Sequence, residues 1–151
     1  MNHILITGGA GFIGSHTAYR YLDKGWRVTV FDNLSRRGSE HNLNRLRSHP
    51  NAAHLTFIRG DVRDTDALLH AVTGTDAILH AAGQTAVTTS VADPRADFEA
   101  NALGTINLLE AVRQQHSPQT DPVILYTSTN KVYGAMEDVR IALRDDHYQY
   151  V

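Results

Sequence analysis

A glycine-rich turn between an apolar run and an amphipathic segment constrains this chain more than any other feature. Residues 4–6 (Ile-Leu-Ile) predict a buried first strand, and residues 12–24 predict a helix. Gly8, Gly11 and Gly14 lie between the two, with the spacing of a dinucleotide-binding turn. The first glycine permits a tight bend, the second lets a pyrophosphate approach the backbone, and the third lets the helix pack closely on the strand. Ordinary turns also contain glycines, but the strand-to-helix context favours dinucleotide binding.

Asp32 ends the second predicted strand, eighteen residues after Gly14. A carboxylate at this position accepts hydrogen bonds from the adenosine ribose hydroxyls and repels a 2′-phosphate. Asp32 therefore predicts NAD, rather than NADP, as the cofactor. Arg36 and Arg37 lie nearby and leave acceptance of that phosphate open, although solvated loop arginines are the simpler interpretation.

Asp61 follows the third predicted strand in the run Gly60-Asp61-Val62. Its position allows two interpretations. The carboxylate either reaches the adenine of the cofactor or serves as a turn or helix-capping aspartate. Spacing alone does not separate them.

Short β-branched runs alternate with amphipathic segments along the chain. Further strands are predicted over residues 27–31, 54–58, 76–80 and 122–126. Helices are predicted around Leu43 and Leu46, over 66–72, and from Pro94 to about residue 116. This alternation predicts an α/β fold: a Rossmann-type, doubly wound parallel sheet of at least five strands with helices on both faces.

The last residues follow a different pattern. Residues 139–144 and 148–151 alternate at period two across a polar turn, which predicts a C-terminal hairpin. The sequence stops inside the second strand of that hairpin. We therefore expect residues 1–151 to be the NAD-binding Rossmann domain at the N-terminal end of a longer, truncated enzyme whose substrate domain is absent.

Composition argues against several classes of protein. The 151 residues are 42% hydrophobic with a net charge of −2, which suits one domain and gives no global attraction to nucleic acid. No aromatic stacking platform accompanies the basic group of Arg36, Arg37, Arg45 and Arg47, so nucleic-acid binding is not expected. Cysteine is absent and the nine histidines show no metal-ligand spacing, so no metal site is expected. Without a signal peptide or an apolar span, a cytoplasmic protein with no membrane partner is expected.

Five segments together resemble the NAD-dependent epimerase/dehydratases that act on nucleotide sugars, which are extended short-chain dehydrogenase/reductases. The segments are TGGAGFIG (7–14), DNLS (32–35), GDVRD (60–64), HAAGQTAV (80–87) and NALGTINLLEAVR (101–113). Residues 82–105 and the run TSTNKVYG (127–134) are most similar to one subgroup, the CDP-tyvelose (CDP-paratose) 2-epimerases. Thr85 stands where 4-epimerases often have a lysine, so the hydrogen-bond network of a 4-epimerase is not expected here.

The resemblance implies cofactor-binding roles for residues beyond the glycines. The amides of Phe12 and Ile13 would meet the pyrophosphate. The residues implied at the adenosine ribose are Asp32, Asn33, Leu34, Ser35, Arg36 and Arg37, with Asp61 and Val62 at the adenine. Those implied at the nicotinamide-side ribose are Ala81, Ala82, Gly83 and Gln84.

Two further roles follow from the resemblance, each with a simpler alternative. Asn101 would support the cofactor side of the active site, but a buried amide bonded to nearby backbone would also explain it. Thr129 falls at the catalytic Ser/Thr position, where it would hydrogen-bond the sugar hydroxyl that is oxidised, but it could equally bond its own loop backbone. His80 is interpreted as a satisfied strand-end histidine rather than a catalyst.

The implied reaction is epimerisation of a nucleotide sugar, with a CDP-hexose favoured, by transient hydride transfer to bound NAD. Family chemistry uses a Tyr-x-x-x-Lys pair that these 151 residues lack, so the chain alone is expected not to turn over. A 4-epimerase or a 4,6-dehydratase is an alternative, although dehydratases place Asp-Glu where Asn130-Lys131 follow Thr129. A non-catalytic NAD-binding module is another. Relatives dimerise through two helices, so a homodimer through the 94–116 helix is a further expectation.

Overall fold

The structure is a computed structural model that describes residues 2–129, 134 and 136–151. Its strands are β1 (His3–Thr7), β2 (Arg27–Asp32), β3 (Leu55–Arg59), β4 (Ala77–His80), β5 (Val123–Tyr126), β6 (Ile141–Arg144) and β7 (His147–Tyr150). Its α-helices are α1 (Phe12–Asp23), α2 (Ser39–Arg47), α3 (Thr65–Ala71), α4 (Val87–Ala92), α5 (Pro94–Phe98) and α6 (Gly104–Gln115). A 3-10 turn covers Ala52–His54, and a π-helical segment covers Glu99–Leu103.

The first five strands form one parallel sheet in the order β3-β2-β1-β4-β5. The predicted Rossmann-type α/β fold is confirmed. The chain runs outward from β1 through β2 to β3 and then returns to place β4 on the other side of β1. Ligands of open α/β sheets bind at this reversal, outside the carboxyl ends of the strands. The residues after β1 and β4 therefore meet where a ligand is expected.

Side chains from alternate positions of the central strands bury both faces of the sheet, as a parallel sheet requires. Ile4, Ile6, Val28 and Val30 pack with α1 and α2 on one face. A second cluster lies on the other face, with α3 and α6 packed against it. Its largest buried members are Leu5, Phe31, Leu68, Ile78 and Leu108.

The segment after β4 contains more helix than the sequence predicts. The helix expected over 94–116 is present as α5, the π-helical segment and α6, which follow one another without a gap, and α4 precedes it where no helix was predicted. Asp93 caps α5 by accepting a hydrogen bond from the Ala96 amide, and Pro94 occupies the first turn as expected. The apolar periodicity of this region identified a helix but could not reveal one wide turn within it.

The C-terminal hairpin is confirmed. Strands β6 and β7 pair antiparallel with Arg144 opposite His147, so Asp145 and Asp146 form a two-residue connection. Asp145 has a φ of 55°, the left-handed conformation that such a tight connection needs. Among the described residues, no helix is long and apolar enough to cross a membrane.

Candidate cofactor-binding site

A cavity of about 790 Å³ opens at the carboxyl ends of β1 to β4. This volume falls within the roughly 300–1,000 Å³ range of small-molecule sites. The predicted residues that line the cavity are Gly8, Gly11, Phe12, Ile13, Gly14, Asp32, Asn33, Ser35, Arg36, Arg37, Asp61, Val62, Ala81, Ala82, Gly83 and Gln84. The fold thus gathers residues from four separate loops around one space.

Close backbone packing explains two of the three glycines. Gly8 has a φ of 65°, and a Cβ atom there would lie 2.7 Å from the Ala81 carbonyl oxygen. A Cβ atom at Gly14 would overlap the Gly8 carbonyl oxygen and the Gly9 Cα atom. Neither position therefore accommodates a side chain without moving backbone, which fits the tight bend and the close helix packing expected of them.

The start of α1 presents unsatisfied donors to the cavity. The first helical hydrogen bond runs from the Ser15 amide to the Gly11 carbonyl at 2.9 Å. The amides of Phe12, Ile13 and Gly14 therefore have no acceptor within the helix. Gly11 provides no side-chain cap, and the first turn carries no acidic residue. Free amides and the positive end of a helix dipole are the features that bind a phosphate group.

Asp32 ties the glycine turn to the loop after β2. Its Oδ2 atom accepts a hydrogen bond from the Ala10 amide at 3.0 Å, and its Oδ1 atom accepts one from the Leu34 amide at 2.8 Å. A carboxylate has about four acceptor sites, so two remain available to ribose hydroxyls. Leu34 adopts a φ of 59°, and its side chain packs against the core rather than lining the cavity.

Asp61 takes the turn-forming role that the sequence allowed, while its role at the adenine stays a prediction. It lines the cavity, and its Oδ1 atom accepts a hydrogen bond from the Arg63 amide, as a turn-forming aspartate does. The Arg63 guanidinium donates to both oxygens at 2.9 and 2.8 Å, and the Asn33 side-chain amide donates at 2.8 Å. These bonds, above all those from Arg63, hold the pKa of Asp61 well below its usual range. The cap of α3 is instead Asp64.

Asn101 lies behind the loop after β4 and does not line the cavity. Its Oδ1 atom accepts a hydrogen bond from the Gln84 amide at 2.8 Å, while its Nδ2 atom donates to the Gln84 carbonyl at 3.1 Å. A Cβ atom at Gly83 would lie 2.8 Å from the same Oδ1 atom. Asn101 is therefore bonded to backbone, as the simpler interpretation holds, and that backbone forms the cavity wall.

His80, at the end of β4, is 1% exposed and has hydrogen-bond partners on both ring nitrogens. The Nδ1 atom lies 2.6 Å from the Thr7 Oγ1 atom and the Nε2 atom lies 3.1 Å from the Thr105 Oγ1 atom. Burial lowers the pKa of His80 to about 4. The interpretation of a satisfied strand-end histidine is confirmed.

Thr129 is exposed and is not among the described residues that line the cavity. The adjoining Asn130 and Lys131, on which the subgroup resemblance partly depends, lie outside the described residues. The catalytic role of Thr129 stays a prediction. Within the described part of the chain, no group of three or more His, Asp or Glu side chains is arranged to hold a metal ion.

Part of the cavity wall was not predicted from the sequence. Thr89, Asp93, Ala96, Asp97 and Ala100 line it from the segment where α4 was not predicted and the long helix was predicted without its π-helical turn. Asn42 of α2 was also missed. Its side-chain amide donates to the Ala10 carbonyl at 2.9 Å and so connects α2 to the glycine turn. Nothing in the sequence distinguishes Asn42 from the other polar residues of α2.

Residues 5–149 match the protein family described as GDP-mannose 4,6 dehydratase. The chain belongs to this family of NAD-dependent nucleotide-sugar epimerases and dehydratases. CDP-paratose 2-epimerase from Salmonella typhi is 45% identical over 150 residues, which cover 98% of this chain and 43% of the relative. The chain thus spans less than half the length of that curated relative.

Solved structures show the same fold. The UDP-glucose 4-epimerase from Stenotrophomonas maltophila, with bound NAD and formylated UDP-arabinopyranose, superposes with a TM-score of 0.76 at 29% identity. The match covers 91% of this chain and 40% of that one. A dTDP-glucose 4,6-dehydratase from Streptomyces venezuelae, with NAD bound, gives a TM-score of 0.75 at 34% identity, covering 89% of this chain and 41% of that one. NAD is the cofactor of this family, in agreement with the sequence prediction.

Proposed function

We propose that this chain is the NAD-binding part of a nucleotide-sugar epimerase that resembles the CDP-tyvelose/CDP-paratose 2-epimerases. The observation that carries the cofactor assignment is the cavity itself, where free α1 amides face the loop that Asp32 holds in place. The 45% identity to CDP-paratose 2-epimerase supports the choice of subgroup and of a CDP-hexose substrate.

Different residues bind the two halves of the cofactor. The α1 amides of Phe12 and Ile13 bind the pyrophosphate, and Asp32 accepts hydrogen bonds from the adenosine ribose on one side of them. Residues 81–84 hold the nicotinamide-side ribose on the other. NAD, when bound, supplies the hydride acceptor for the sugar carbon that is oxidised. Thr129 positions the hydroxyl at that carbon.

These 151 residues are proposed to bind NAD without turning over substrate. No Tyr-x-x-x-Lys pair occurs in the sequence, so the proton of the sugar hydroxyl has no activated tyrosinate to accept it. An assay of the isolated chain with NAD and a CDP-hexose should therefore show no epimerised product. Robust epimerisation of the CDP-hexose by the isolated chain would contradict this proposal.

Thermal unfolding with NAD tests the binding proposal. A ligand at about 100 times its Kd stabilises the folded state by about 2.7 kcal/mol, which corresponds to a rise in Tm of roughly 5–10 °C for a domain of this size. The variant Asp32→Asn loses the charge and keeps only one of the two oxygens that accept from the Ala10 and Leu34 amides. Its Tm should rise less with NAD. No rise in Tm for the unaltered chain would contradict the proposal.

A further inference from the structure

Hydrogen bonds and the backbone of the loop 82–84 together form a ring that connects the end of β1, the end of β4 and the π-helical segment. The hydrogen bonds pass through Thr7, His80, Thr105 and Asn101, and they reach the loop at Ala82 and at Gln84. None of these four side chains lines the cavity. The ring therefore acts on the cavity wall from behind.

The donors of the ring can be assigned from its geometry. The Thr105 hydroxyl donates to the Asn101 carbonyl at 2.6 Å, so its oxygen accepts from His80 Nε2. His80 Nδ1 is then unprotonated and accepts from the Thr7 hydroxyl. The Thr7 oxygen accepts in turn from the Ala82 amide at 3.4 Å. One neutral imidazole tautomer satisfies every one of these bonds.

The loop 82–84 is thereby held at both ends. Ala82 is bonded through Thr7, and Gln84 is bonded at its amide and its carbonyl by the side chain of Asn101. Asn101 lies in the π-helical turn, where the Gly104 amide donates to the Glu99 carbonyl five residues back. His80, through Thr105, fixes that wide turn to the end of the sheet.

We propose that His80 and Thr105 are positioning residues that set the loop 82–84 for the nicotinamide half of the cofactor. This rests on the proposed NAD binding. The adenosine half is held by Asp32 and the loop after β2, which are bonded to the glycine turn independently of the ring. Loosening the ring should therefore weaken recognition of NAD but not of ADP, which lacks the nicotinamide half.

Three threonine variants test the proposal. Thr105→Val removes the hydroxyl while nearly keeping the shape, and Thr105→Ser restores the hydroxyl. The matched control is Thr29→Val, because Thr29 is 4% exposed and its Oγ1 atom lies 2.8 Å from His3 Nε2, away from the cavity. Calorimetry with NAD and with ADP, together with the hydrogen-exchange rate of the Gln84 amide, is measured for each variant.

Thr105→Val should raise the Kd for NAD about tenfold and the Gln84 exchange rate by at least about tenfold, with the Kd for ADP unchanged. Thr105→Ser and Thr29→Val should leave all three quantities within about twofold of the unaltered chain. Equal losses of NAD and ADP affinity, or an unchanged Gln84 exchange rate in Thr105→Val, would overturn the proposal. If the unaltered chain bound no NAD, the proposed function would fail, and an unchanged Gln84 rate would still refute the link to the loop.

Discussion

The Arg63 guanidinium bonds to the Asp61 carboxylate, which the resemblance assigns to the adenine. Together with Asn33 and the Arg63 amide, it fills the four acceptor sites of Asp61. The Arg63 side chain is 47% exposed, so little packing prevents it from moving away. A cofactor that bonds to Asp61 must therefore replace one of these donors. The contacts of Asp61 can therefore rearrange, whereas Asp32 is held in place by backbone amides.

Replacing Arg63 with glutamine should raise the pKa of Asp61 toward its ordinary value, because the guanidinium bonds are the main reason for its lowered pKa. Stability at neutral pH should change by no more than about 1 kcal/mol, since the pair is partly exposed. The carboxyl carbon shift of Asp61, followed by NMR across acidic pH, measures this. Arg113→Gln, which breaks the exposed pair with Glu110, is the matched control. An unaltered Asp61 titration in Arg63→Gln would disprove the assignment.

His80 should make stability depend on pH. The unfolded side chain has a pKa near 6.5, whereas the folded one has a pKa of about 4. Between these values the unfolded state binds the additional proton, so stability is complete above about pH 6.5 and is lost as pH falls through 4. The loss amounts to about 3 kcal/mol. Urea unfolding from pH 7 to pH 4 should show a steeper decline for the unaltered chain than for His80→Gln; parallel declines would contradict the assignment.

The turn that joins β1 to α1 is the element on which the cavity depends. A Cβ atom at Gly14 meets backbone atoms of Gly8 and Gly9, which cannot move without shifting the whole turn. By contrast, Gly25 at the other end of α1 has a φ of 71° and open space around it. Gly14, in the first turn of α1, and Gly25, just beyond its end, therefore serve different purposes.

Gly14→Ala should lower stability by about 1–3 kcal/mol and weaken NAD binding at least about tenfold, because overpacking displaces the phosphate-binding amides. Gly25→Ala should cost about 1 kcal/mol through its left-handed conformation and leave NAD binding unchanged. Urea unfolding and calorimetry on both variants make the comparison. NAD affinity retained in Gly14→Ala would count against the proposed role of the turn.

The strands were predictable from the sequence, whereas the wall of the cavity was predictable only in part. Apolar runs bounded by turns identify buried strands, and β1 to β5 lie within about one residue of their expected bounds. Helix α4 was missed because its Val and Thr residues favour strands over helices. The contacts of Asp61 with Arg63 and Asn33, and of Asn101 with Gln84, depend on side-chain directions that no periodicity encodes.

An apolar helix face is exposed in the described part of the chain. Phe98, Leu103, Ile106 and Leu109 are 39–62% exposed, while the opposite face of α6 packs into the core beside α3. We propose that a second copy of the chain covers this face, as expected for a homodimer through the 94–116 helix. An exposed patch of this kind favours association.

Sedimentation velocity over a range of concentrations should show reversible association of the unaltered chain. Ile106→Lys should abolish it, because a buried, unpaired charge opposes contact between two apolar faces. Gln114→Lys adds the same charge to an exposed position of α6 outside that apolar group and should leave association unchanged. A chain that sediments as a monomer at every concentration would refute the proposed dimer.

Calorimetric titration of the chain with NAD and with NADP tests whether Asp32 selects NAD. Asp32 is 9% exposed and fixed by two backbone amides, so it cannot turn away from a 2′-phosphate placed beside it. We expect NAD to bind at least about tenfold more tightly than NADP. A clear preference for NADP, or no binding of either, would contradict the assignment of NAD as the cofactor.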